Sequence, residues 1–236
     1  MDRSVASRPV RSPNRAPRLT LIASSNVPFL PPRRELARRL PRCIAGLAGF
    51  GFGISCIVRA RLGLAPWDVF HQGLSDLTGL SLGLMIEGMG LLILLLWIPL
   101  RQRPGLGTIL NAIEIGLVAD LGTAVLPQTT SIVARWAYLA VGLLVMGIGS
   151  GFYIGAGLGT GPRDGLMVGL NRRFGWSIRR ARTTVELLAL GAGVALGGPV
   201  GIGTIAVAVG IGPIAHFTIP RLSLPPIQNE PPVAVH

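Results

Sequence analysis

Leu62-Gly63-Leu64-Ala65-Pro66-Trp67-Asp68 and, 96 residues later, Leu158-Gly159-Thr160-Gly161-Pro162-Arg163-Asp164 are two versions of one motif. The similarity extends well beyond it. Residues 47–120 align with residues 143–216 at the same offset, without a gap and with 24 identities in 74 positions. Self-similarity of this length indicates two copies of one structural unit. We therefore expect the chain to fold as an internal repeat.

The composition is that of a membrane protein. Of the 236 residues, 50% are hydrophobic and only 14% are charged, and the mean hydropathy is +0.57. A soluble domain has about 25% charged residues. Only two cysteines are present, Cys43 and Cys56, and both fall at or within the first apolar stretch, so neither a disulfide framework nor a CxxC metal site is expected. Because no nucleophile elbow or His-Glu-x-x-His motif occurs either, we expect no enzyme, no cofactor and no metal.

The apolar runs predict an all-α membrane fold with six transmembrane helices. Runs of about 17–25 residues can cross about 30 Å of hydrocarbon. Three spans fall in each copy, and an odd number requires the second copy to enter the membrane from the opposite side. The prediction is two inverted three-helix repeats, residues 43–126 and 135–220, an architecture typical of secondary transporters. The six runs centre on residues 43–60, 81–99, 106–126, 135–157, 182–198 and 200–219.

The positive charge indicates how the chain is oriented in the membrane. The net charge is +12, all 22 basic residues are Arg, and ten of them precede residue 43. Positive charge is retained on the cytoplasmic side, so both termini are expected in the cytoplasm and the protein in the cell (inner) membrane. Residues 1–42 and 221–236 are predicted to be disordered tails. The Arg-rich tail is interpreted as a topology signal close to the lipid bilayer, and no nucleic-acid partner is expected.

Each copy of the motif predicts the start of a short helix. Pro66 and Pro162 suit the first helical position, and Asp68 and Asp164 follow within the first turn, where the helix dipole favours an acid. About twelve residues give a helix of roughly 18 Å, which would lie at the interface or enter the membrane as a re-entrant helix. The two acids either only cap their helices or form a polar site. Both readings stay open at this stage.

Further acids lie inside the apolar runs. Such residues usually face the bundle interior or a wet cavity, because a charge in lipid is costly. Glu114 lies near the middle of the third run, and Glu186 lies in the fifth. Glu186 has a structural alternative, an ion pair with Arg179 or Arg182. The candidate substrate- or ion-binding residues are Asp68, Asp164, Glu114, Glu186, Pro66 and Pro162, and a relay would also include Asp120 and His216.

Two glycine-rich stretches predict close helix packing. Small residues let transmembrane helices approach each other, and they recur in residues 49–53 and 147–151. Such faces pack helices within one chain or join it to a second copy. A homodimer or a protein partner is therefore part of the prediction.

The first copy of the motif resembles a known family. Arg61-Leu62-Gly63-Leu64-Ala65-Pro66-Trp67-Asp68 resembles the Gly-Leu-Gly-x-x-Pro-Trp-Asp stretch that follows the first span of YczE/YitT-type bacterial membrane proteins, with Arg61 in place of the first Gly. The resemblance covers roughly residues 43–220. It implies a multi-spanning bacterial inner-membrane protein, and it implies no defined activity or substrate.

These features predict a secondary transporter or exporter of a small solute. Asp68 and Asp164 would lie near a pseudo-symmetric site between the repeats, and Glu114 would contact the substrate or a coupling ion. One alternative is a non-transporting membrane scaffold or assembly factor. Another is a solute-capture subunit of a larger transporter.

Overall fold

The computed structural model describes residues 29–227, and their regular structure is entirely α-helical. The all-α prediction is thus confirmed for this part of the chain. The helices are α1 (Arg33–Ala60), α2 (Pro66–Thr78), α3 (Leu82–Trp97), α4 (Leu106–Val125), α5 (Ile132–Gly155), α6 (Pro162–Phe174), α7 (Ile178–Ala195) and α8 (Ile202–Leu222).

The helix boundaries follow the sequence repeat. After α1 and α5, each helix of the first half begins 96 residues before its counterpart in the second half. Turns with positive φ recur at the same offset, so the two copies share backbone conformation as well as sequence. The positive-φ pairs are Arg61 and Gly157, Gly63 and Gly159, Gly79 and Gly175, and Arg101 and Gly197.

Within each copy, the first and last helices run in the same direction. Ser55 Oγ of α1 donates a hydrogen bond to Ala119 O of α4 at 3.0 Å, and one turn later Arg59 donates to Thr123 O. Residue numbers therefore increase together along α1 and α4. The same order is seen where α5 packs on α8, with Gly147 against Ile214 and Gly155 against Leu222.

The first helices of the two copies, α1 and α5, pack against each other in opposite directions. A Cβ atom on Gly46 would lie 2.8 Å from Gly149 O, and one on Gly53 would lie 2.7 Å from Gly142 O. Only glycine permits such a close approach of the two backbones. Of the glycine-rich stretches predicted to pack helices, Gly53 and Gly149 are therefore used between α1 and α5 of the same chain, whereas Gly147 packs on α8.

The pairs α2–α3 and α6–α7 join these long helices. Since α1 and α4 are parallel, α2 and α3 together return the chain from the end of α1 to the start of α4. They are bent by 114° relative to each other. Four helices of the described part, α1, α4, α5 and α8, are long and apolar enough to cross a membrane, and α2–α3 adds a fifth if counted as one span.

The prediction of six spans is therefore not confirmed. The predicted run at 182–198 belongs to α7, which begins at Ile178 and carries Arg179, Arg180 and Arg182 in its first turns. Three guanidinium groups in 18 residues lower the hydropathy of this helix below that of a membrane span. The predicted run at 81–99 is the 16-residue α3, which is too short to cross alone.

Helix α1 begins earlier than predicted, because residues 33–42 are helical instead of part of a disordered tail. Arg39, 3% exposed, donates to Ala156 O at the end of α5 at 2.8 Å, and Arg42 donates to Leu222 O at the end of α8 at 2.8 Å. Guanidinium groups at helix C-termini satisfy free carbonyls and match the helix dipole. Helix α8 likewise ends only at Leu222, inside the tail predicted for residues 221–236, and the tail predictions for residues 1–28 and 228–236 lie outside the described residues.

The two copies are also joined through the backbone of the motif. Gly107 N donates to Leu158 O at 2.9 Å, and Gly203 N donates to Leu62 O at 2.7 Å. Each motif is thus bonded to the start of the last helix in the other copy. A side chain on Gly105 or Gly201 would overlap these same carbonyl oxygens, so glycine is required there.

Candidate functional site

The first turns of α2 and α6 form the candidate site. Pro66 and Pro162 occupy the first positions of these helices, as predicted, and Asp68 and Asp164 follow two residues later. Neither carboxylate accepts a backbone N–H of its own helix in the described structure. The reading in which these acids only cap their helices therefore lacks the hydrogen bond on which capping depends.

Asp68 and Arg163 bring the two copies of the motif into contact. Arg163 Nη2 lies 3.9 Å from Asp68 Oδ1, and the Arg163 guanidinium stacks over the Trp67 ring at 4.9 Å. Asp68 is 1% exposed. A buried charge needs a counter-charge, and this one is supplied by the second copy.

Asp164 has a different environment. It accepts a hydrogen bond from the Tyr153 hydroxyl at the end of α5, at 3.2 Å, and it lies close enough to Arg182 and Glu186 of α7 to interact with their charges. Arg182 Nε donates to Glu186 Oε1 at 2.9 Å, so the predicted ion pair of Glu186 is present, with Arg182 as its partner. Glu186 therefore borders the site without being a free acid in it.

The inner face of α2 presents buried polar atoms that have no hydrogen-bond partner among the described residues. They are Trp67 Nε1, Asp68 Oδ1 and both ring nitrogens of His71. His71 Nδ1 lies 3.4 Å from Asp68 Oδ1, within the range of an ion pair, and His71 is fully buried. Leaving a buried polar group unsatisfied costs about 1–3 kcal/mol. This face therefore combines a donor, an acceptor and an imidazole in a form suited to binding something polar.

Pro162 also holds the second motif in place. Its carbonyl accepts a hydrogen bond from Trp97 Nε1 of α3 at 3.0 Å, and the Trp97 ring lies against Gly165. A Cβ atom at Gly165 would overlap that ring. Helix α3 of the first copy thus fixes the start of α6 in the second.

Glu114 is not brought to this site. Its charge faces Cys43 of α1, and it forms no ion pair or hydrogen bond with any described residue. Asp120 accepts a hydrogen bond from Gly83 N at 2.8 Å and so satisfies the start of α3, while His216 is exposed on α8. The described structure therefore does not join Glu114, Asp120 and His216 into a relay.

Sequence reasoning missed a second set of paired residues. Arg135 Nε donates to Ala60 O at 2.8 Å, as Arg39 donates to Ala156 O, and both the arginines and the acceptors are 96 residues apart. Extending the repeat alignment back to residue 39 would have found them. Tyr153, by contrast, gave no signal, because its counterpart is Ile57.

An apolar groove of ≈510 Å³ lies elsewhere, near the end of α4 and the start of α5. It contains none of the predicted acids, so it does not coincide with the polar site. Its lining includes Phe52, Cys56, Leu126, Tyr138 and Val141.

Residues 37–220 match a family described as a family of unknown function (DUF6198). An uncharacterized protein of Haemophilus influenzae is 38% identical over 78% of this chain and 85% of its own length. The uncharacterized membrane protein YczE of Bacillus subtilis is 35% identical over 80% and 89%, and the uncharacterized protein YyaS of the same organism is 27% identical over 74% and 89%. No solved structure matches. The predicted resemblance to YczE-type membrane proteins is confirmed.

Proposed function

The chain belongs to this family of unknown function, and from that premise we propose that it is a secondary transporter or exporter of a small polar solute. One observation carries the proposal. Asp68 is buried, its Oδ1 has no hydrogen-bond partner among the described residues, and this oxygen lies 3.9 Å from Arg163 of the other copy. A charged, incompletely satisfied site between two copies of one unit is the arrangement that secondary transporters use for binding.

The helix directions support an inverted-repeat topology. Helices α1 and α4 are parallel, α5 and α8 are parallel, and α1 and α5 are antiparallel. If α2–α3 and α6–α7 each carry the chain across the bilayer as a broken span, the two copies have opposite orientations. The breaks then lie between α2 and α3 and between α6 and α7, at the opposite ends of α2 and α6 from the site, and rocking of one copy against the other would expose the site to each side in turn.

The orientation completes the proposal. In this topology the arginines in the first turns of α1 fall on one side together with Arg101 and Arg103, and α6 begins from the same side. We place that side in the cytoplasm of a bacterial cell, with both termini there. A broken helix that carries several arginines is tolerated within a bundle when it is covered by protein or lines a polar path.

A ligand screen with matched variants tests the proposal. The purified protein in detergent is heated with a panel of small polar metabolites, and any compound that raises the melting temperature is tested on Asp68→Asn. The control is Asp76→Asn, because Asp76 lies on the exposed face of the same helix and only accepts from Gln72. A ligand at 100 times its Kd stabilises the folded state by about 2.7 kcal/mol.

We expect a compound that stabilises the wild type and Asp76→Asn but not Asp68→Asn, and that enters proteoliposomes only when the wild-type protein is present. A compound that binds all three proteins equally would place the site elsewhere. A compound that binds at Asp68 but shows no flux would favour the solute-capture subunit. If no compound of the panel binds to the wild type, a scaffold role is favoured.

A further inference from the structure

We infer that the Asp68–His71 pair binds one exchangeable proton, and that Arg163 of the second copy competes with this proton for Asp68. The inference rests on the proposed function, because it names the coupling ion of the same site. It makes the contact between the two copies sensitive to protonation. The energy for transport would then come from a proton gradient.

The geometry of α2 supports a proton pair. Asp68 and His71 are separated by three residues on one helical face, and the distance from His71 Nδ1 to Asp68 Oδ1 is 3.4 Å. Both side chains are almost fully buried. Neither ring nitrogen of His71 has a hydrogen-bond partner among the described residues, so no other group occupies the one unprotonated nitrogen on which a neutral imidazole accepts a proton. An intramembrane acid next to a histidine is a typical proton carrier.

The surroundings of the pair leave Arg163 as its nearest charge. From α6, Arg163 faces Asp68 at 3.9 Å, and it also interacts with Asp164, Tyr153 and Glu186. Gly193 of α7 and Leu196, directly after this helix, lie against α2 and bring no charge. Trp67 lies beside His71, with ring centroids 6.1 Å apart, and adds no charge.

These charges favour a proton over a metal cation. A metal ion at Asp68 would lie near the guanidinium of Arg163 and be repelled by it. A proton is held by a covalent bond to one carboxylate oxygen or ring nitrogen and makes the negatively charged pair neutral. It therefore needs less space and less negative charge than a metal ion.

Protonation changes the partner of Arg163. In the deprotonated state, Asp68 carries the negative charge that holds the guanidinium. When a proton binds the pair, its net charge rises by one and that attraction is lost. Arg163 then interacts more strongly with Asp164, which is on its own helix. The contact between the two copies is weakened in this state, so proton binding favours their separation.

Histidine NMR tests this inference without a known substrate. The chain has three histidines, so protein labelled with ¹³C-histidine gives few ring signals, and His71→Gln and His216→Gln assign them. The His71 signal is followed from pH 4.5 to 9.5 in wild type, Asp68→Asn, Arg163→Gln and the control Arg173→Gln. Arg173 is an exposed arginine on the same helix as Arg163 and changes the net charge equally.

We expect the His71 signal to titrate, and its midpoint to move to higher pH by about 1–3 units in Arg163→Gln, because a nearby positive charge is removed. Asp68→Asn should move the midpoint to lower pH, and Arg173→Gln should leave it within about 0.3 units of the wild type. A His71 signal that is independent of pH would overturn the inference, as would equal shifts in Arg163→Gln and Arg173→Gln.

The outcome is separable from that of the solute screen. If the protein transports a solute while the His71 signal does not change with pH, the transporter proposal stands and the proton site is refuted. If the Asp68–His71 pair titrates but the protein transports no solute of the panel, the proton site stands and the transporter proposal is refuted.

Discussion

The two copies of the repeat share a framework and differ in chemistry. Each has a proline at the first position of its short helix and an aspartate two residues on. At the positions between and beyond them, however, Trp67 and His71 of the first copy correspond to Arg163 and Met167 of the second. The shared residues therefore place the starts of α2 and α6 next to each other. The residues that differ between the copies provide the unequal charges of the site.

The largest loss of stability is expected at glycines where the two copies pack too closely for any side chain. Gly105→Val and Gly201→Val each place a branched group on a carbonyl of the other copy, so both should unfold the protein or cost several kcal/mol. The control is Gly191→Ala, where a Cβ meets nothing within 4 Å and helix propensity favours alanine. Size-exclusion profiles and melting temperatures in detergent measure both. If only one of the two valine variants is unfolded, the copies are not equivalent in the framework.

The next largest loss of stability is expected from the arginines that bind carbonyl groups at helix ends. Arg39→Met should cost about 2–3 kcal/mol, because the buried guanidinium binds Ala156 O and Pro225 O and pairs with Glu35. Arg135→Met should cost less, about 1 kcal/mol, because its guanidinium is more exposed.

Denaturation in detergent compares the two arginine variants, and Arg173→Met on the surface of α6 is the control for loss of charge. If Arg39→Met and Arg135→Met lose the same free energy of unfolding, the deeper burial of Arg39 does not add to its contribution.

A smaller effect is expected from two hydroxyl groups. Ser55 of α1 donates to Ala119 O of α4, while in the second copy the donor is on the last helix, with Thr218 of α8 donating to Gly147 O at 2.8 Å. Ser55→Ala and Thr218→Val should each cost about 1 kcal/mol. Their effects should add in the double variant, because the two bonds lie in different helix pairs. A strongly non-additive result would indicate coupling between the copies through α1 and α5.

The smallest effect on stability is expected at Asp68 itself. Asp68→Asn removes a buried charge whose Oδ1 accepts no hydrogen bond, and Arg163 keeps Asp164 nearby, so the melting temperature should stay near that of the wild type or rise. Asp164→Asn should be less stable than Asp68→Asn, because the Tyr153 hydroxyl loses its charged acceptor. Thermal scans at neutral pH compare them, and the reverse order would mean that Asp68 serves the fold.

The sequence alone predicted much of this framework. The offset of 96 located the starts of α2 and α6 at Pro66 and Pro162, because proline and glycine act through local backbone geometry. The start of α1 was harder to predict from the sequence. Nothing in residues 33–42 shows that Arg39 is buried, since its partners, Ala156 and Pro225, are more than a hundred residues away.

The site was predicted only in part, because some of its contacts join residues that are distant in the sequence. Asp68 and Asp164 were found through the repeat, but the contact between Asp68 and Arg163 depends on the packing of two distant helices. Glu114 was predicted from hydropathy alone, which detects a costly residue without indicating its neighbours. Glu186 was resolved by a local rule, because Arg182 lies four residues before it on one face of α7.

The crossed backbone bonds have a consequence for biosynthesis. Leu62 O finds its donor at Gly203 N, and Leu158 O finds its donor at Gly107 N. When the ribosome has made the first copy, which ends at residue 126, its motif carbonyl has no partner, and it remains so until Gly203 has been translated 77 residues later. The first half must therefore wait in the bilayer as an incomplete unit, and maturation of both halves occurs together when the last helix inserts.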